Sequence, residues 1–181
     1  MWQLAGPGAP QSKIFRGHTD AVGGAEVDWK SRRALSFSDD GSLLLWDLDA
    51  GSPPIRALRG HTGVVWNVDV DWETGRALSW SFVDANLRLW DLRASDNGAG
   101  RHKGGPECSG DGLKLQAVDP PDDRHGIVPW SGAVEVDWKR RRALSWHGAS
   151  CEPRVWDLDK GCLLSSLRGH ERPLACAALQ S

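Results

Sequence analysis

The chain has no tyrosine, one methionine and three phenylalanines among its 181 residues, so its aromatic content rests on 11 tryptophans. An excess of one charge is also missing: 22 Lys and Arg stand against 24 Asp and Glu, a net charge of −2. Neither half forms a polybasic or acidic tail, so bulk attraction to nucleic acid or to an anionic membrane is not expected. No apolar run approaches the roughly 20 residues of a membrane-spanning helix. The opening Met1-Trp2-Gln3-Leu4-Ala5-Gly6-Pro7 has neither the basic region nor the apolar stretch of a secretory signal. These absences read as a soluble chain without a membrane partner, long enough for one domain with a real core.

The four cysteines, Cys108, Cys151, Cys162 and Cys176, include no C-x-x-C pair. A structural zinc site would want close ligand pairs, so none is expected. The cysteines read as reduced thiols of an intracellular protein, cytoplasmic or nuclear. Gly98-Ala99-Gly100 is followed by no Gly-Lys-Ser/Thr and no helical pattern, which leaves no phosphate cradle. There is no H-E-x-x-H, and His147 and Cys151 lack further nearby ligands. No metal, cofactor or catalytic residue is expected, and the chain reads as a non-enzyme.

What is present is repetition. Asp28-Trp29, Asp71-Trp72 and Asp137-Trp138 each close a Val-Asp-Trp phrase. Arg-Ala-Leu-Ser follows each, at 33–36, 76–79 and 142–145. Trp46-Asp47-Leu48, Trp90-Asp91-Leu92 and Trp156-Asp157-Leu158 come next. Leu-Arg-Gly-His ends the unit at 58–61 and 167–170, with Phe15-Arg16-Gly17-His18 as an earlier copy. The first two Asp-Trp marks lie 43 residues apart, within the roughly 40–45 of a four-stranded propeller blade. The run Val64–Asp71 alternates with the period of a strand (Val68, Asp69, Val70, Asp71), and Arg76–Ser81, Leu87–Leu92 and Ile55–Leu58 are further short runs. Gly, Pro, Asp and Ser punctuate the gaps, as an all-β meander requires.

With Gly-His near the front of each unit and Trp-Asp near the back, the chain resembles the WD-repeat family over essentially its whole length. The resemblance implies an all-β β-propeller segment of three complete four-stranded blades plus partial strands of a further blade. Residues 1–11 then end a preceding blade and 12–61 form the first blade with its entering outer strand. Residues 62–126 form the second blade, 127–170 a degenerate third, and 171–181 the first strand of another. The second and third Asp-Trp marks are 66 residues apart, and the excess falls in a Gly-rich, charged stretch at 94–112. That stretch lacks apolar residues to offset ordering entropy and is expected as a mobile loop, with Leu113–Val118 resuming as the outer strand. Three blades are too few for a closed ring of roughly four to eight. The first expectation is a piece of a larger propeller; the alternatives are copies completing one another's ring and a strained four-bladed monomer.

His18, Ser36 and Asp40 recur as His61, Ser79 and Asp84, superficially a nucleophile, a base and an orienting acid. The resemblance instead implies a stabilising network in each blade, with Trp46 and Trp90 completing the two sets. Repetition favours that reading over hydrolysis, since a catalytic set is not normally copied once per blade. The third unit keeps Ser145 and Trp156 but has Ser150 where Asp is expected, a reversed His125-Gly126, and Pro153 at the start of its third strand. It should be the least stable blade.

Basic residues recur in the turns: Lys30, Arg32 and Arg33, then Arg76, then Lys139, Arg140, Arg141 and Arg142. Acidic residues recur on the strands before them (Glu26, Asp28, Asp69, Asp71, Glu135, Asp137), which favours ion pairing on a solvated rim. The alternative is a basic face that binds nucleic acid or phosphoinositide, or a nuclear-import patch at 139–142. Phe15-Arg16-Gly17 is similar to the Phe-Arg-Arg-Gly of phosphoinositide-binding propellers but has one arginine. The family implies a non-catalytic scaffold that binds other proteins or peptides through loops, with the turns Ser38–Ser42 and Phe82–Asn86 on one face.

Overall fold

The computed structural model describes residues 13–81, 83–84, 86–93, 113–116, 132–147 and 152–169. Twelve strands make three four-stranded antiparallel sheets, and no helix occurs among these residues. The first sheet is β1 (Val22–Asp28), β2 (Arg33–Ser38), β3 (Ser42–Asp47) and β4 (Gly51–Arg59). The second is β5 (Asn67–Asp71), β6 (Arg76–Ser81), β7 (Asn86–Asp91) and β8 (Leu113–Gln116). The third is β9 (Gly132–Asp137), β10 (Arg142–His147), β11 (Arg154–Asp157) and β12 (Cys162–Ser166). Each sheet runs in sequence order, the meander of a propeller blade.

The Arg-Ala-Leu-Ser phrase has a distinct task at each position. Its Arg lies opposite an Asp of the third strand, as Arg33↔Asp47, Arg76↔Asp91 and Arg142↔Asp157. Its Ala lies opposite the Trp, as Ala34↔Trp46, Ala77↔Trp90 and Ala143↔Trp156, so a small residue leaves room for a large one. Its Leu points to the other face, because side chains alternate along a strand. The turns repeat as well: Leu48, Leu92 and Leu158 donate backbone N–H bonds of 2.9, 2.8 and 3.0 Å to the carbonyls of Arg32, Gly75 and Arg141. Those three acceptors occupy equivalent left-handed positions, with φ of 58°, 71° and 55°. Only the second unit uses glycine there, the residue that adopts this conformation without penalty.

The sheets stack face to face. Leu35, Phe37, Leu43, Leu45 and Leu58 of the first pack on Val65, Val68, Ala77, Trp90 and Leu92 of the second. Leu78, Trp80, Leu87 and Leu89 then carry the second sheet's other face onto Ala143, Trp156 and Leu158 of the third. The remaining face of the first sheet, with Ala34, Leu44 and Trp46, is covered by Phe15, whose ring meets Trp46 edge-on at 5.5 Å. Trp72 and Trp138 pack against the sheet before them, while Trp29, at the equivalent place in the first sheet, is 71% exposed.

Some elements differ from the sequence pattern. The run Val64–Asp71 becomes a strand only from Asn67. Val65 N–H bonds back to Ser38 O at 3.2 Å while Trp66 N–H reaches Trp80 O at 2.9 Å, so this stretch spans two sheets. β4 is longer than Ile55–Leu58 and takes in Pro53 and Pro54, which an outermost strand tolerates. β11 has four residues where β3 and β7 have six, because Pro153 lacks the N–H that would extend it. β8 covers Leu113–Gln116 and pairs with β7, where the outer strand was expected. The expectations for 1–11, the loop 94–112, His125, Gly126, Ser150 and 171–181 lie outside the described residues. No helix of the described residues is long and apolar enough to cross a membrane.

Candidate functional site: the buried histidine networks

Two of the units assemble the same four side chains. In the first sheet, His18 Nδ1 lies 3.0 Å from Asp40 Oδ2, and its Nε2 lies 2.7 Å from Ser36 Oγ. Trp46 Nε1 donates to the same Ser36 Oγ at 2.8 Å. In the second sheet the distances are 2.9 Å for His61 to Asp84, 2.8 Å for His61 to Ser79, and 2.8 Å for Trp90 to Ser79. One assignment of protons uses every donor. Nδ1–H donates to the carboxylate, Ser Oγ–H donates to Nε2, and the indole N–H donates to Ser Oγ.

The strands dictate this meeting. Ser and Trp sit on adjacent antiparallel strands and share one face of the sheet. The Asp stands in the turn between those strands, and the His arrives on the segment leading into the sheet. Each carboxylate also takes a backbone N–H from the residue after the His, Thr19 at 2.9 Å and Thr62 at 3.0 Å. Its second oxygen accepts the N–H of Ser42 at 2.9 Å or Asn86 at 3.0 Å. Gly41 closes the first of these turns with φ of 77°; a Cβ there would lie 3.0 Å from His61 O.

Burial decides what the arrangement can do. The His61 side chain is 0% exposed and that of Asp84 3%, and Ser79 is fully buried. His18 and Asp40 are 5% and 8% exposed. A hydrolytic serine must reach an acyl carbon and needs donors for the developing oxyanion. Here the Oγ is enclosed between an imidazole and an indole. Among the described residues no group of three or more His, Cys, Asp or Glu is placed to hold a metal ion.

The carboxylates carry a pH signature. Burial pushes the Asp40 carboxyl upward, but hydrogen bonds from Ser42, Thr19 and His18 outweigh it and hold the group far below the usual range. At Asp84 burial is likewise outweighed, by the hydrogen bond of His61 and by the N–H groups of Thr62 and Asn86. A carboxyl depressed in the folded state contributes stability that is complete above its unfolded value, about 3.9, and is lost as pH falls through the folded one. The expected result is an unfolding free energy that declines from about pH 5 downward, with Asp84→Asn flattening that decline. Urea titrations at a series of pH values measure it.

In the third sheet Trp156 Nε1 donates to Ser145 Oγ at 2.8 Å, so the Ser–Trp half of the set is kept. A further contact escaped the sequence: Trp138 Nε1 donates to Asp69 Oδ1 at 2.6 Å, joining the third sheet to the second. The Asp-Trp phrase marks the tryptophan, but nothing along the chain says that its acceptor lies one sheet away.

The turn arginines are paired. Arg32 meets Asp49 at 2.9 Å, Arg76 meets Asp159 at 3.3 Å, Arg140 meets Asp137 at 2.8 Å and Arg142 meets Asp157 at 3.1 Å. Arg141 reaches Asp71 of the neighbouring sheet at 3.9 Å. Arg33 faces Asp47 in the strand register, and Lys30 and Lys139 stand exposed in their turns. Among the cysteines, Cys162 is a free, exposed thiol on β12; Cys108, Cys151 and Cys176 lie outside the described residues.

No family model matches the chain. A curated relative is similar over 40 residues at 48% identity: the probable E3 ubiquitin ligase complex SCF subunit sconB of Arthroderma otae. The match covers 22% of this chain and 6% of that protein, so the chain spans a small part of its relative.

Proposed function

We propose that the chain is a WD-repeat propeller segment acting inside the cell, cytoplasmic or nuclear, as a non-catalytic scaffold for other proteins or peptides. The observation that carries this reading is the pair of closed His–Ser–Trp–Asp sets, whose hydrogen-bonding groups are spent within the fold. Chemistry of that kind stiffens a framework and leaves the rims to make contacts. The similarity to a probable subunit of a ligase complex supports a part in a protein assembly. Completion of a ring by a second copy belongs to the same proposal, because Trp29 stands exposed where its counterparts pack on a neighbouring sheet.

The basic-face alternative is disfavoured by the five arginines that already hold carboxylates, which a phosphate would have to displace. Photo-crosslinking from position 83 in cell extract separates the readings. A scaffold yields discrete protein adducts that persist after nuclease treatment and after Arg140–Arg142 are replaced by glutamine. Adducts lost on either treatment would favour nucleic acid or phosphoinositide binding instead.

A further inference from the structure

Antiparallel strands divide the charged residues between two rims. One rim carries the turns at 28–33, 71–76 and 137–142, with the arginines just described. On the opposite side, the segments 19–22, 37–41, 62–66 and 80–84 contain four carboxylates and no Lys or Arg, while exposed Arg59, opposite Ser42, stands at the outer end of this rim. Two of these are committed: Asp40 and Asp84 hold the histidines. Asp20 and Asp39 are exposed.

Beside them lie large apolar groups open to water: Val22 at 58%, Trp66 at 46% and Val83 at 54% exposure. They form one contiguous surface across two sheets. Asp39 N–H bonds to Ala21 O at 3.0 Å, and Ser38 O takes the N–H of Val65 at 3.2 Å, next to Trp66. Gly63 abuts Val83 so closely that a Cβ on it would lie 2.5 Å from the Val83 Cβ. Trp66 itself is pinned by its backbone bond to Trp80 O. An exposed tryptophan fixed at its backbone, on a rim that also exposes two carboxylates, has the composition of a binding hot spot.

We propose that this rim binds a basic segment of another protein, with a Lys or Arg between Asp20 and Asp39 and an adjacent apolar side chain against Trp66 and Val83. The inference rests on the scaffold reading and adds the chemistry of the partner. The surface repels phosphate, so its occupant is a peptide rather than a nucleic acid.

The test is selection of a phage-displayed random dodecamer library on the full chain, followed by fluorescence anisotropy with the winning peptide. Winners should join Lys or Arg to a Leu, Phe or Trp. Trp66→Ala should weaken binding at least about tenfold, equivalent to about 1.4 kcal/mol. Asp20→Asn with Asp39→Asn, both at exposed sites, should weaken it and flatten its salt dependence. Acidic winners, no enrichment over an unrelated protein, or affinity unchanged in both variants would overturn the proposal. Winners that bind elsewhere on the chain would overturn this rim while leaving the scaffold reading intact.

Discussion

Replacing Asp84 by alanine should lower the unfolding free energy by about 3–5 kcal/mol, the cost of breaking a buried charged partnership by removing one member. The carboxylate is 3% exposed and accepts from His61, Thr62 N–H and Asn86 N–H, so three donors lose their acceptor at once. Against a total of about 5–15 kcal/mol for a domain, this is enough to leave much of the chain unfolded. Asp40→Ala acts on a slightly more exposed copy of the same site and should cost somewhat less. Circular dichroism during urea unfolding gives both values.

Trp90→Ala should cost a comparable 3–5 kcal/mol, from lost burial and from the cavity left behind. Trp90 is 2% exposed in the core between the first two sheets and donates to Ser79. The deletion therefore empties a sheet interface and strips a partner from a buried hydroxyl. Trp29→Ala is the matched control. The same residue type is 71% exposed on the first sheet, and its removal should change the unfolding midpoint little. Equal losses at the two positions would contradict the packing described.

Much of this was legible in the sequence because the fold repeats itself. One Arg-Ala-Leu-Ser phrase seen once would be ambiguous; seen three times opposite Trp-Asp, it reads as a strand pair with assigned faces. His18, Ser36, Asp40 and Trp46, and their copies at 61, 79, 84 and 90, meet where the repeat placed them. The contacts that join one sheet to the next were not legible. Trp138 to Asp69 and Arg141 to Asp71 link residues about 70 positions apart, and neither chain period nor local pattern encodes such a pairing. Strand ends also escaped where tertiary hydrogen bonds compete, as at Val65 and Trp66. The third unit could be read as degenerate because Pro153 removes a ladder donor, and β11 is short for that reason.

The apolar, acidic rim was legible only in part: the turns Ser38–Ser42 and Phe82–Asn86 were read as one face, but the apolar groups that join them on its surface were not. Val22, Trp66 and Val83 belong to different turns of the chain, and their exposure is a property of packing rather than of composition. Read along the sequence, a tryptophan among valines at 64–66 looks like core. The backbone bonds that draw Val65 toward the first sheet and Trp66 toward the second leave the indole facing outward.

The most direct test of a structural rather than catalytic network is a double-mutant cycle between His61 and Asp84, read by equilibrium unfolding of His61→Ala, Asp84→Ala and the pair. Groups bonded at 2.9 Å in a buried set should be strongly coupled, with an interaction energy of about 1.5–3 kcal/mol. Single losses that simply add, to within about 0.5 kcal/mol, would mean that the two side chains do not support one another and would contradict the network as the framework of the fold.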